Sequence, residues 1–196
     1  MAEDQSYPRV KKFFFLFIFI LSFSKAYSEN FKFIKIANLN NPWGSSFLNN
    51  DEMIITEKSG LIKIVNIINN QVNDVEHNLN FLEDGQGGLL DILHHENKVW
   101  ISYTENRGNR KTSTSIALAN LDKKNLVFKN IFQANPPINS GYHFGSRLAI
   151  KDNYLYASAG ERGKGMIAQD ASKHPGSIIR IHLDGSCLLY TSDAAD

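Results

Sequence analysis

The feature that most constrains this chain is a loose internal repeat. Gly44-Ser45-Ser46-Phe47-Leu48 runs through Asn49-Asn50-Asp51 to Met53-Ile54-Ile55-Thr56-Glu57. Gly145-Ser146-Arg147-Leu148-Ala149-Ile150 runs through Lys151-Asp152-Asn153 to Tyr154-Leu155-Tyr156. Between them, Gly88-Leu89-Leu90 leads past His94-His95-Glu96-Asn97 to Val99-Trp100-Ile101-Ser102-Tyr103. Each unit reads as a glycine, an inner strand, a polar turn and a second strand. Glycines 44, 88 and 145 are 44 and then 57 residues apart. Such a period suits the four-stranded blades of a β-propeller, which bury their faces only against neighbours on both sides. The repeat predicts about three blades, an incomplete ring. A sandwich of about ten strands has the same composition, but it does not call for the repeat.

The rest of the pattern is also all-β. Short apolar runs alternate with Gly, Asn and Asp, and no long stretch has the 3.6-residue period of a sizeable helix. The expected strands are Phe31–Ala37, Ser45–Leu48, Met53–Glu57, Ile62–Asn66, Leu89–His94, Val99–Thr104, Ser113–Asn120, Val127–Gln133, Ser146–Ile150, Tyr154–Ala157 and Ser177–Leu183. Polar turns at 49–51, 58–60, 122–125 and 152–153 separate them.

Both ends differ from this body. Lys11 and Lys12 precede an apolar run from Phe13 to Leu21, and Ala26-Tyr27-Ser28 follows, so residues 1–28 are expected to be a secretory signal peptide. The run is short for a membrane span, an uncleaved N-terminal anchor being the alternative, and no stable insertion is expected after cleavage. Residues 29–186 are then the propeller portion, exported to the periplasm or secreted. Residues 187–196 break the pattern and resemble the translated end of a sequencing-library adapter, so they are expected to be foreign. The only cysteine, Cys187, lies there, which leaves the body without disulfide or thiolate chemistry. With 21 Lys plus Arg against 20 Asp plus Glu, the charge offers no electrostatic grip on nucleic acid.

Among polar side chains, His143 stands out, between Gly141 and Gly145 at the opening of an inner strand. Glycines there let a backbone approach a ligand, and histidine is the commonest general base. A loop histidine without a role fits the same residues. If the strands before and after Asp152-Asn153 pair as a hairpin, Glu161 comes level with His143 and can orient its imidazole; a solvated turn residue is the alternative. Asp84-Gly85-Gln86-Gly87-Gly88 lacks the order and following helix of a phosphate loop. Its Gln86 presents an amide suited to a sugar hydroxyl, or is simply part of a turn. Adjacent His94 and His95 point to opposite strand faces and have no further ligands nearby, so no metal is assigned to them. Trp43 and Trp100 are read as blade-packing residues.

Taken in order, NPWGSSFL, ITEKSGLIKIVN, DGQGGLLDILHH, VWISYTE, SGYHFGSRLAI, ASAGERG and AQDASKHPGSIIRIHLDGS resemble the glucose/sorbosone dehydrogenase family. They are spread in order over residues 41–186. The resemblance implies a six-bladed propeller and oxidation of an aldose to its lactone with pyrroloquinoline quinone (PQQ) and calcium. An external quinone or cytochrome would then take the electrons. It implies that His143 is the general base, Glu161 its carboxylate partner and Gln86 a substrate contact. Glucose-oxidising members carry Asp where this chain has Tyr142 and Glu161, so their sugar preference does not transfer. HFGSRL is shared with broad-specificity aldose dehydrogenases. The calcium ligands and the cations for the quinone's carboxylates are expected beyond Ser186, and the chain alone is expected to be inactive. The alternative is a non-catalytic propeller that binds a sugar or a protein partner.

Overall fold

A computed structural model describes residues 31–186; residues 1–30 and 187–196, where the expected signal peptide and foreign tail fall, lie outside the described residues. Among the described residues, 35–186 form one compact unit. Its strands are β1 (Pro42–Phe47), β2 (Glu52–Glu57), β3 (Leu61–Asn66), β4 (Val72–His77), β5 (Leu89–His95), β6 (Lys98–Asn106), β7 (Thr112–Asn120), β8 (Asn125–Leu126), β9 (Lys129–Gln133), β10 (Gly145–Lys151), β11 (Tyr154–Ala159) and β12 (Ile178–His182). They make three sheets: β1-β2-β3-β4-β8, β5-β6-β7-β9 and β10-β11-β12. The strands pair antiparallel except at β4–β8, where a two-residue dip of the chain pairs in parallel with the outer edge of the first sheet. This is an all-β propeller arrangement of two four-stranded blades and the first three strands of a third.

Local chemistry makes the blades. β2 and β3 are rich in Ile and Val, whose branched side chains suit a pleated, half-buried surface. The β1–β2 turn closes because the Asn49 side-chain oxygen accepts from the backbone N–H of Asp51 at 2.8 Å and of Glu52 at 2.9 Å. Ile54, Ile62 and Ile64 of the first blade pack on Leu89, Ile101 and Tyr103 of the second. Trp100 and Ile116 of the second pack on Leu148, Leu155 and Ile181 of the third. Each fully buried Ile or Leu in these seams contributes roughly 1.5–3 kcal/mol relative to exposure.

Polar bonds repeat along the same seams. Each inner strand bulges, and an N–H at the bulge is taken by a hydroxyl on the second strand: Gly44 by Thr56, Asp91 by Ser102 and Arg147 by Ser158, each at 3.0 Å. The hydroxyl then donates to the next blade. Thr56 Oγ1 reaches the Leu90 carbonyl at 2.5 Å, and Ser102 Oγ reaches the Ser146 carbonyl at 2.7 Å.

Two expectations need correction. Residues 31–39 contain no strand, although Phe31-Lys32-Phe33 alternates as one should; alternation prepares a face but does not provide the hydrogen-bonded neighbour that defines a strand. The repeat is real, but its glycines are not equivalent positions. By bulge pairing, Gly44 corresponds to Asp91 and Arg147, while Gly145 corresponds to Leu89 and Pro42. Trp100 packs between blades as expected, buried and donating its indole N–H to the Leu183 carbonyl at 3.0 Å, while Trp43, on the first blade, is 43% exposed among the described residues.

Candidate active site

Three loops meet where the inner strands of the second and third blades begin. The loop before β5 carries Gln86, the loop before β10 carries His143, and the segment leaving β11 carries Glu161. The pairing Gly145↔Ala159 sets β10 and β11 in the register that brings the last two level. His143 Nδ1 lies 2.5 Å from Glu161 Oε1. The Gln86 side-chain oxygen accepts the backbone N–H of His143 at 2.9 Å, and the Gln86 N–H donates to the Gly141 carbonyl at 2.8 Å. The structure thus brings all three expected residues together. It also changes the reading of Gln86, whose oxygen is committed to the loop while its NH2 end is the part suited to a ligand.

The backbone is held tightly here. His143 has φ +51°, a left-handed conformation uncommon for a residue with a side chain. A Cβ at Gly160 would stand 2.0 Å from the His143 carbonyl oxygen, so only glycine allows β11 to lie this close to the loop. The Gly160 N–H donates to the Phe144 carbonyl at 2.9 Å, and the Arg162 N–H to the His143 carbonyl at 3.3 Å.

Electrostatics favour a directed imidazole. The hydrogen bond from His143 holds the Glu161 carboxyl below its ordinary range, helped by the backbone N–H of Gly163 at 3.1 Å. A carboxylate at Nδ1 favours the tautomer with the proton on that nitrogen, which makes Nε2 the acceptor. The His143 side chain is 54% exposed and therefore reachable. Tyr142 is exposed beside it, with the two rings edge to face at 6.3 Å.

Two residues at the site were missed by sequence reasoning. Lys58, from the first blade, donates its ammonium to the Gly85 carbonyl at 2.8 Å and pairs with Glu83 at 3.4 Å, which braces the Gln86 loop. Arg162 lies under the His143 loop and is 2% exposed; burial pushes its guanidinium down to about 10, so it stays charged at neutral pH. The repeat held a signal for Lys58, because it stands two residues past Thr56 as Thr104 does past Ser102 and Gly160 past Ser158. Nothing in composition marks Arg162 apart from any turn arginine.

As a host for a quinone and an ion, these residues are one-sided. They offer an imidazole, an amide and a carboxylate, and the nearby cations Lys58 and Arg162 are engaged by backbone and side-chain partners. Among the described residues, no three His, Cys, Asp or Glu side chains are grouped to hold a metal ion. Residues 31–186 therefore do not by themselves fit PQQ with calcium.

A partial β-propeller with a carboxylate-oriented histidine at its rim is the class that the fold and the site define. The sequence matches the family described as Glucose / Sorbosone dehydrogenase over residues 39–189, and the chain belongs to that family. It is 29% identical over 153 residues to the aldose sugar dehydrogenase YliI of Escherichia coli (strain K12), covering 73% of this chain and 41% of that protein. It is 32% identical over 177 residues to the uncharacterized protein slr1608 of Synechocystis sp., covering 77% of this chain and 42% of that protein. The chain thus spans less than half the length of these curated relatives. The apo-form crystal structure of the soluble aldose sugar dehydrogenase from Escherichia coli superposes with a TM-score of 0.71 at 27% identity, over 76% of this chain and 46% of that one. The PQQ-bound aldose sugar dehydrogenase from Streptomyces coelicolor gives 0.66 at 24% identity, over 78% and 48%, a likeness of fold.

Proposed function

We propose that this chain supplies the proton-abstracting side of a periplasmic or secreted aldose dehydrogenase that forms the lactone. The observation that carries the reading is the 2.5 Å contact between His143 Nδ1 and Glu161 Oε1, which directs Nε2 as a base. In this reading Nε2 takes the proton of the sugar's C1 hydroxyl. The Gln86 NH2 group donates to a neighbouring hydroxyl and fixes the ring's position. Glu161 holds the imidazole and balances its charge once it is protonated. Acceptance of the hydride from C1 is the chemistry that PQQ with calcium supplies when bound, and the electrons pass on to an external quinone or cytochrome. Family membership and the likeness to aldose sugar dehydrogenases support this assignment.

The test uses the full-length gene product, read from genomic DNA past Ser186, purified with PQQ and calcium. Aldose-dependent dye reduction is expected, with loss in His143→Ala. An inactive wild type, or a fully active His143→Ala, overturns the reading and favours a propeller that only binds.

A further inference from the structure

We infer that Arg162 is a positioning residue for His143, holding the loop on both sides of the base through one buried guanidinium. Its Nε donates to the Tyr142 carbonyl at 3.1 Å, and Nη2 donates to the Ser140 carbonyl. Nη1 reaches the Thr112 carbonyl at 3.2 Å, and Nη2 also reaches the Thr112 hydroxyl at 2.7 Å. The guanidinium Cζ lies over the ring of Phe144, the residue after the base, 3.6 Å from its centroid. Residues 140, 142 and 144 are therefore tied to one side chain, which is itself anchored to β7 at the start of the second blade's third strand.

The backbone of Arg162 completes the device. It follows Glu161 directly, takes φ +58° and donates its N–H to the His143 carbonyl. The same residue thus fixes where the carboxylate emerges and where the imidazole's loop lies. A left-handed His143 is costly to hold, and such conformations persist only where surroundings over-determine them. A rigid five-donor fork can meet four acceptors at once, which a lysine ammonium on a flexible stem cannot.

The kinetic consequence rests on the proposed role of His143; the geometric claim does not. The experiment compares full-length wild type, Arg162→Lys and Thr112→Val, the last removing one anchor of the guanidinium. Circular dichroism first shows whether each is folded. Aldose kinetics and the 15N spectrum of the His143 imidazole are then recorded. In folded Arg162→Lys, kcat is expected to fall about 100-fold, the loss typical of a roughly 1 Å misplacement, with KM little changed. The signature of a single Nδ1-protonated tautomer is expected to be lost. Thr112→Val is expected to shift both readouts less and in the same direction, and it decides the matter if Arg162→Lys does not fold. Wild-type kcat and a wild-type imidazole spectrum in the folded variants overturn the inference. If the wild type has no turnover, the functional reading fails and the imidazole spectrum alone still decides on Arg162.

Discussion

Gly160→Ala is the sharpest probe of how closely β11 and the His143 loop are fitted. A methyl carbon at residue 160 would stand 2.0 Å from the His143 carbonyl oxygen, 2.6 Å from its carbonyl carbon and 3.0 Å from the Gly145 nitrogen. Since Cβ contacts in folded proteins stay beyond about 3 Å, the loop and strand must separate by roughly 1 Å at the base itself. All three contacts are backbone atoms, so no flexible side chain can absorb the displacement. The expected cost is about 1–3 kcal/mol of stability, as for other overpacked sites, together with a loss of about 100-fold in kcat from misplacing the imidazole. Gly165→Ala is the matched control, because nothing lies within 4 Å of its Cβ position. The assay is aldose-dependent dye reduction by the full-length protein, with thermal melting of both variants. A Gly160→Ala protein within threefold of wild-type kcat, melting with the Gly165→Ala control, would refute the close-approach argument.

Other perturbations test the seams and the site's electrostatics. Ser102→Ala strips a partner from the Asp91 N–H and the Ser146 carbonyl, two groups only 7% and 2% exposed as residues, and should cost about 2–5 kcal/mol in chemical denaturation. Ser158→Ala removes the Arg147 contact at a half-buried position and should cost less than Ser102→Ala; equal losses would contradict the seam assignment. Glu161 should titrate below ordinary glutamates by carboxyl NMR, and His143→Ala should move it back up, because the histidine is the leading cause of its depression. The sign for stability follows. A depressed carboxyl contributes fully above its unfolded value, near 4.3, and that contribution disappears as pH falls through the lowered folded value. An unmoved Glu161 titration in His143→Ala would show that another group sets it.

Much of this was legible in the sequence because blades repeat. Ten of the eleven expected strands overlap observed ones, since apolar runs bounded by Asn, Asp and Gly leave few other choices. The exception, Phe31–Ala37, shows what a period-2 pattern lacks, namely a partner edge. β4 was missed for the opposite reason: Val72-Asn73-Asp74-Val75-Glu76-His77 lies mostly in solvent, so its apolar signal is thin. The phase of the repeat was misplaced by following glycines. The conserved physical element within the chain is a hydroxyl on the second strand, at Thr56, Ser102 and Ser158, and a two-faced hydrogen bond leaves no trace in hydropathy. His143, Glu161 and Gln86 were singled out by the family resemblance, because a histidine between glycines and a carboxylate at the far end of a hairpin leave a loop histidine and a solvated turn open; the structure adds that the three lie together. Arg162 was not, since its significance lies in four acceptors from distant parts of the chain.

The seam and the site are consequently one structure. The bond from the His143 N–H to Gln86 joins the third blade to the second, as the Ser102–Ser146 bond does lower in the same interface. Lys58 extends the chain of contacts to the first blade through the Gly85 carbonyl. The position of the imidazole therefore depends on how three blades are spaced, and the spacing is set by buried hydroxyls and apolar seams far from the rim. It follows that Ser102→Ala, which touches no site residue, should alter the His143 imidazole spectrum along with stability. A destabilised Ser102→Ala protein with a wild-type imidazole spectrum would show instead that the Arg162 fork alone is enough to hold the base.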